Sequence, residues 1–91
     1  MEITFDPAKN ERNIHERGLS FELAAEFDLE SAVTTEDNRQ EYGENRFRSL
    51  GFIGSELYAL VFTVRGEALR IISLRKANRR ERVLYERTSK P

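Results

Sequence analysis

A chain of 91 residues, 34 % charged, with a net charge of −1 and no cysteine, has room for one domain around a small core. It excludes a disulfide scaffold and cysteine-based zinc or iron–sulfur sites, and a single histidine, His15, speaks against a His-rich metal site or a Ser–His–Asp triad. No apolar run reaches the roughly 18 residues a membrane span needs, and no basic stretch followed by an apolar run marks a secretory signal, so a cytoplasmic protein is the expectation.

Glu2 to Phe5 reads as a short strand, with Ile3 and Phe5 on one face and Glu2 and Thr4 on the other. Asp6-Pro7 signals a helix start: aspartate accepts from free backbone N–H groups, and proline has none to waste at the first position. This helix is expected to run to about Arg17 and stop at Gly18. Its apolar stripe is only Ala8 and Ile14, so it should lie on the surface and hold weakly. Lys9 and Asn13 share one of its faces at i, i+4, which reads as solvated, and His15 among Glu11, Arg12, Glu16 and Arg17 reads as a surface residue. Ser20 can cap a second helix, Phe21 to about Phe27, with Phe21, Ala24 and Ala25 on one side.

Leu29 to Thr35 reads as a weak strand and Glu36 to Gly43 as a polar loop. Asn45 to Ile53 alternates, placing Phe47 and Ile53 on one face and Arg46, Arg48 and Leu50 on the other. After a turn at Gly54-Ser55, Leu57 to Val64 is nearly all apolar and fits a central strand buried on both faces. Arg65-Gly66-Glu67 signals a hairpin, and Ala68 to Arg75 is the last strand. Asn78-Arg79-Arg80-Glu81 matches a capping box that opens the final helix, and Thr88 to Pro91 should fray. The order β-α-α-β-β-β-β-α predicts an α+β fold, a single domain over residues 1–91 with a mainly antiparallel sheet and helices packed on it.

The small net charge conceals a split. Residues 1–45 hold four Lys or Arg against twelve carboxylates, a balance of −8, and residues 46–91 hold eleven against four, a balance of +7. Either the halves neutralise each other side by side, or the basic part forms a face for a polyanion. The cations concentrate at Arg75, Lys76, Arg79, Arg80 and Arg82, where a strand runs into a helix N-terminus. Free N–H groups there bind anions, and arginines in a first helical turn oppose the dipole, so phosphate or nearby carboxylates should compensate them. Arg70 and Arg75 lie five apart on a strand and are expected on opposite faces. Glu81 reads as a cap or a general base, and Tyr85 as a proton donor, a base-stacking platform or a core residue.

Three stretches resemble the BrnT family of bacterial toxins. Phe5-Asp6, Lys9, Asn13, Gly18 and Ser20-Phe21 resemble its N-terminal signature; Arg46 to Gly51 resembles an R-x-x-x-x-G strand; and Arg70-Ile71-Ile72-Ser73, Arg75, Ala77, Glu81 and Tyr85 resemble its R-I-I-S-x-R-x-A-x-x-x-E-x-x-x-Y motif. The family's Lys-His before the glycine is Glu16-Arg17 here. The resemblance implies a RelE-like ribonuclease fold and a type II toxin that cleaves RNA without a metal or other cofactor. It also implies a BrnA-type ribbon-helix-helix antitoxin in a 2:2 complex that reaches operator DNA only through the antitoxin. On that reading Arg75, Arg79 and Arg80 stabilise charge on the phosphate, and Arg46, Lys76 and Arg82 contact RNA. Glu81 or Glu44 is then the base, and Tyr85 the acid or a stacking platform. The alternative is a module that binds RNA or the antitoxin without chemistry.

Overall fold

A computed structural model describes residues 2–39 and 43–89. The elements are β1 (Glu2–Phe5), α1 (Pro7–Arg17), a 3-10 helix (Phe21–Glu26), β2 (Val33–Glu36), β3 (Phe47–Ile53), β4 (Glu56–Arg65), β5 (Ala68–Lys76) and α2 (Arg79–Ser89). The five strands form one sheet in the order β1-β5-β4-β3-β2, antiparallel except where β1 runs parallel to β5. The apolar β4 sits centrally, as its composition predicts.

Local chemistry sets the ends. The Asp6 carboxylate accepts from the Ala8 N–H at 2.9 Å, and Gly18, at φ 70°, donates to the Ile14 carbonyl at 2.8 Å to close α1. The next segment is not the α-helix that Phe21 to Phe27 predicted. Phe21, Ala24 and Phe27 are buried three residues apart, a spacing that a 3.0-residue turn keeps on one line and an α-helix does not. The Asn10 Oδ1 accepts from the Phe21 N–H at 2.7 Å and ties this piece to α1.

Those three side chains cover the sheet face formed by Leu60, Phe62, Ile71 and Leu74. Each fully buried large residue there is worth about 1.5–3 kcal/mol. The strand read from Leu29 begins only at Val33, because Leu29 and Ala32 pack on this core from a loop. Gly51 is fixed by the same packing: a Cβ there would lie 2.6 Å from Phe27 Cζ and 2.9 Å from Ala32 Cβ. Gly51→Ala is expected to lower unfolding free energy by about 1–3 kcal/mol through overpacking, seen as a lower urea midpoint at unchanged m.

The register corrects one expectation about the basic strand. Phe62 pairs with Ile71 and Val61 with Ser73, so Ile72 is an extra residue, a β-bulge. The extra residue restores parity: Arg70 opposes Thr63 and Arg75 opposes Ala59, both odd positions of β4. Arg70 and Arg75 therefore share a face, the one opposite the aromatic core.

Where β1 ends, α1 takes its place beside the β5 edge. Asn13, expected on a solvated face, is buried; its Nδ2 donates to the Leu74 carbonyl at 3.0 Å and to the Leu19 carbonyl at 2.9 Å. Lys9 and His15 are exposed, as read. At the other terminus α2 extends through Ser89 and so includes Thr88 and Ser89; Lys90 and Pro91, like Gln40 to Tyr42 of the expected loop, lie outside the described residues.

Candidate functional site

The second sheet face is crossed at one end by α2, which leaves a cleft of about 110 Å³ between helix and sheet. Arg75 and Ser73 enter it from β5, Arg48 from β3, Thr35 from β2, and Glu81 and Leu84 from α2. The helix is aimed by its capping box: the Asn78 N–H donates to Glu81 Oε1 at 2.9 Å, and the Glu81 N–H donates to Asn78 Oδ1 at 2.8 Å. Capping uses only part of the carboxylate. Arg75 donates Nη1 to Oε1 at 2.7 Å and Nη2 to Oε2 at 2.8 Å, a two-pronged pair.

The Arg75 hydrogen bonds hold the Glu81 carboxyl below the usual carboxylate range against the cost of its burial; the Asn78 N–H and the charges of Arg75 and Arg48 act in the same sense. The same bonds raise the Arg75 guanidinium, opposed by its partial burial and by the neighbouring charge of Arg39. The cleft thus contains an ionised carboxylate already supplied with donors and two arginines, one aligned by it. At the sheet edge Arg17 adds a third: its Nη1 donates to Asn13 Oδ1 at 2.9 Å and to Ser73 Oγ at 3.4 Å. Among the described residues no three His, Asp or Glu side chains gather to hold a metal.

Of the residues singled out in the sequence, the structure brings Arg75 and Glu81 together. Arg79 and Arg80 line a separate shallow surface of α2 with Val83, Leu84 and Arg87. Lys76 pairs in register with Tyr58 on the core side of the sheet and is exposed. Arg82 donates to the Ala77 carbonyl at 2.9 Å. Tyr85 donates its hydroxyl to the Ser31 carbonyl at 3.0 Å and packs edge-on to Phe52, centroids 5.4 Å apart, pinning α2 to the sheet. Glu44 pairs with Arg65 at 3.3 Å, and Arg46 is half-buried where the Asp37 N–H donates to its carbonyl at 2.7 Å. Arg48, Ser73, Thr35 and Arg17 were not chosen from the sequence. Two of them carry a signal: Arg48 shares an alternating face with Arg46 and Leu50, and Ser73 falls within the R-I-I-S motif.

A family model described as the ribonuclease toxin BrnT of type II toxin–antitoxin systems matches residues 5–81. The chain belongs to the BrnT family. A comparison with curated proteins finds no match. The BrnT match begins at Phe5 in β1 and ends at Glu81, so it contains Arg48, Ser73, Arg75 and Glu81 and stops short of Tyr85. Membership makes the chain a ribonuclease toxin whose partners are an RNA substrate and an antitoxin.

Proposed function

We propose that the cleft beneath α2 is where this BrnT protein, as one toxin domain over residues 1–91, cleaves RNA as a metal-independent endoribonuclease. The observation that carries the reading is the Arg75–Glu81 pair set beside Arg48 and Ser73 on the sheet face opposite the aromatic core. In the reaction the ribose 2′-oxygen bonds to the adjacent phosphorus and the 5′-oxygen leaves, giving a 2′,3′-cyclic phosphate and a 5′-hydroxyl. Charge builds on the phosphoryl oxygens, and prearranged donors aimed at that charge lower the barrier. Arg75 and Arg48 supply the donors, and Ser73 offers a neutral hydroxyl.

Glu81 is assigned to orienting Arg75 rather than to the base. Its carboxylate already accepts from Arg75 Nη1, Arg75 Nη2 and the Asn78 N–H, and a lowered pKa makes it a poor proton acceptor. In this scheme the 2′-hydroxyl proton passes to water, and water protonates the leaving oxygen. Arg46, Arg79, Arg80, Lys76 and Arg82 do not line the cleft and are assigned no contact with the scissile phosphate, and Tyr85 holds the helix.

The same reading takes the fold to be RelE-like, supported by the mainly antiparallel sheet with α1 at one edge and α2 across one face. It takes the antitoxin to be BrnA-type, with a ribbon-helix-helix domain, in a 2:2 complex that reaches operator DNA through the antitoxin; the family assignment supports this. Action on RNA belongs in the cytoplasm, and no helix among the described residues is long and apolar enough to cross a membrane. Purified protein is expected to cleave a defined RNA at an undiminished rate in excess chelator, leaving cyclic-phosphate ends. Cleavage that stops in chelator and returns with a divalent ion would overturn metal independence, and RNA binding without any cleavage would favour the non-catalytic module.

A further inference from the structure

We propose that α1 and the adjoining edge of β5 form a second phosphate subsite, which holds the sugar–phosphate backbone of the RNA strand as it leaves the cleft. This rests on the cleft being the RNA site. Residues 1–45 contain only four Lys or Arg, and three of them, Lys9, Arg12 and Arg17, border one polar depression on α1 beside Ile72. The acidic half has placed its cations at one spot. Glu16 shares that spot and reduces its charge without cancelling it.

Ser73 joins the two sites. It lines the cleft, and its Oγ lies 3.4 Å from Arg17 Nη1. Ser73 and Arg75 are two residues apart on a strand, about 7 Å at the usual rise, comparable with the step between neighbouring phosphates of a single strand. A backbone held at Arg75 can thus pass over the sheet edge onto Arg17.

Arg17 is positioned for this. Its Nη1 is anchored on Asn13 Oδ1, and buried Asn13 is itself fixed to the Leu74 and Leu19 carbonyls. Its other guanidinium N–H groups make no hydrogen bond among the described residues, so phosphate binding loses little side-chain freedom. Lys9 and Arg12 make no side-chain hydrogen bond or ion pair among the described residues. Such contacts fix the strand without reading its bases.

The test uses the intact protein and random-sequence 2′-O-methyl RNA, whose blocked 2′-oxygen prevents cleavage. Binding is measured for a labelled oligomer of roughly eight nucleotides and, by competition, for a dinucleotide that fills only the cleft. Arg12→Ala and Lys9→Ala are expected to weaken the longer RNA about 3- to 10-fold each at low salt and to lower its salt slope by about 0.7 per cation, with dinucleotide affinity unchanged. Arg17→Ala should weaken the longer RNA by a similar factor. Unchanged affinity and salt slope for the longer RNA in Arg12→Ala and Lys9→Ala would overturn the subsite, as would an equal loss for the dinucleotide. Neither of these two side chains holds the fold, so misfolding cannot mimic the result. If Arg48→Ala leaves dinucleotide binding intact, the cleft itself is misassigned and the subsite falls with it.

Discussion

Arg75→Ala is expected to lower kcat/KM for RNA cleavage by about 10²- to 10³-fold, the loss typical of removing a donor aimed at developing charge. The chain should then no longer arrest growth when induced. Truncation also strands the Glu81 carboxylate, whose side chain is only 11 % exposed, so Arg75→Ala confounds catalysis with folding. Arg75→Lys separates the two. Lysine keeps the charge beside Glu81 but replaces the planar fork with a single ammonium, which cannot span both carboxylate oxygens and still face the cleft. The lysine variant should therefore retain most of the stability and lose most of the rate. Arg79→Ala and Arg80→Ala serve as controls, since these side chains line a different surface; their cleavage rates should stay near that of the parent chain. A parent-like rate in folded Arg75→Lys and Arg75→Ala would remove the cleft from the mechanism.

The parts of the fold that could be read from the chain are those written in neighbouring residues. Asp6-Pro7 with Gly18, and Asn78 with Glu81, mark helix boundaries by chemistry confined to a few positions. Leu57 to Val64 announces a central strand because it alone is apolar on both alternating sets. The two misread elements depend on distant partners. The 3-10 geometry of Phe21–Glu26 follows from which residues meet the sheet. The short β2 reflects a loop whose Leu29 and Ala32 pack, half-buried, against the core contributed by other strands.

The bulge at Ile72 shows the same limit at the site. Leu69, Ile71, Ile72 and Leu74 read as an unbroken strand, and the only trace of an insertion is that the apolar set moves from odd to even positions at Ile71-Ile72. Yet one extra residue decides whether Arg70 and Arg75 share a face. Arg75 and Glu81 were each visible as candidates, but their partnership was not: a capping carboxylate needs one oxygen for the backbone, and what takes the other depends on where β5 lies under α2. Arg17 carried no signal, because its role arises from the distance between an α1 side chain and Ser73, 56 residues apart in the chain.

Glu81→Ala should lower the unfolding free energy by about 2–3 kcal/mol at neutral pH, the sum of a lost helix cap and a lost, partly screened ion pair. The pair contributes the smaller share, because the Arg75 side chain is 36 % exposed and a lone half-solvated guanidinium is tolerable. Glu81→Gln divides the two terms: the amide oxygen still accepts from the Asn78 N–H, while the charge and the Arg75 Nη2 hydrogen bond to Oε2 are lost, together about 1–2 kcal/mol. The pH dependence identifies that charge. Glu81 has a folded-state pKa lowered chiefly by Arg75, so its charge stabilises the protein fully above the unfolded carboxylate value, about 4.3. That stabilisation disappears as pH falls through the lowered folded value. Urea midpoints of the parent and Glu81→Gln should therefore differ by a constant amount from neutrality to about pH 5 and converge at more acid pH. Curves that stay parallel through the acid range would assign the difference to packing. The variant also tests the division of labour in the cleft. If Glu81 were the base, Glu81→Gln would abolish cleavage at every pH. If it only aims Arg75, the variant keeps a reduced rate, and its pH–rate profile has the parent's shape.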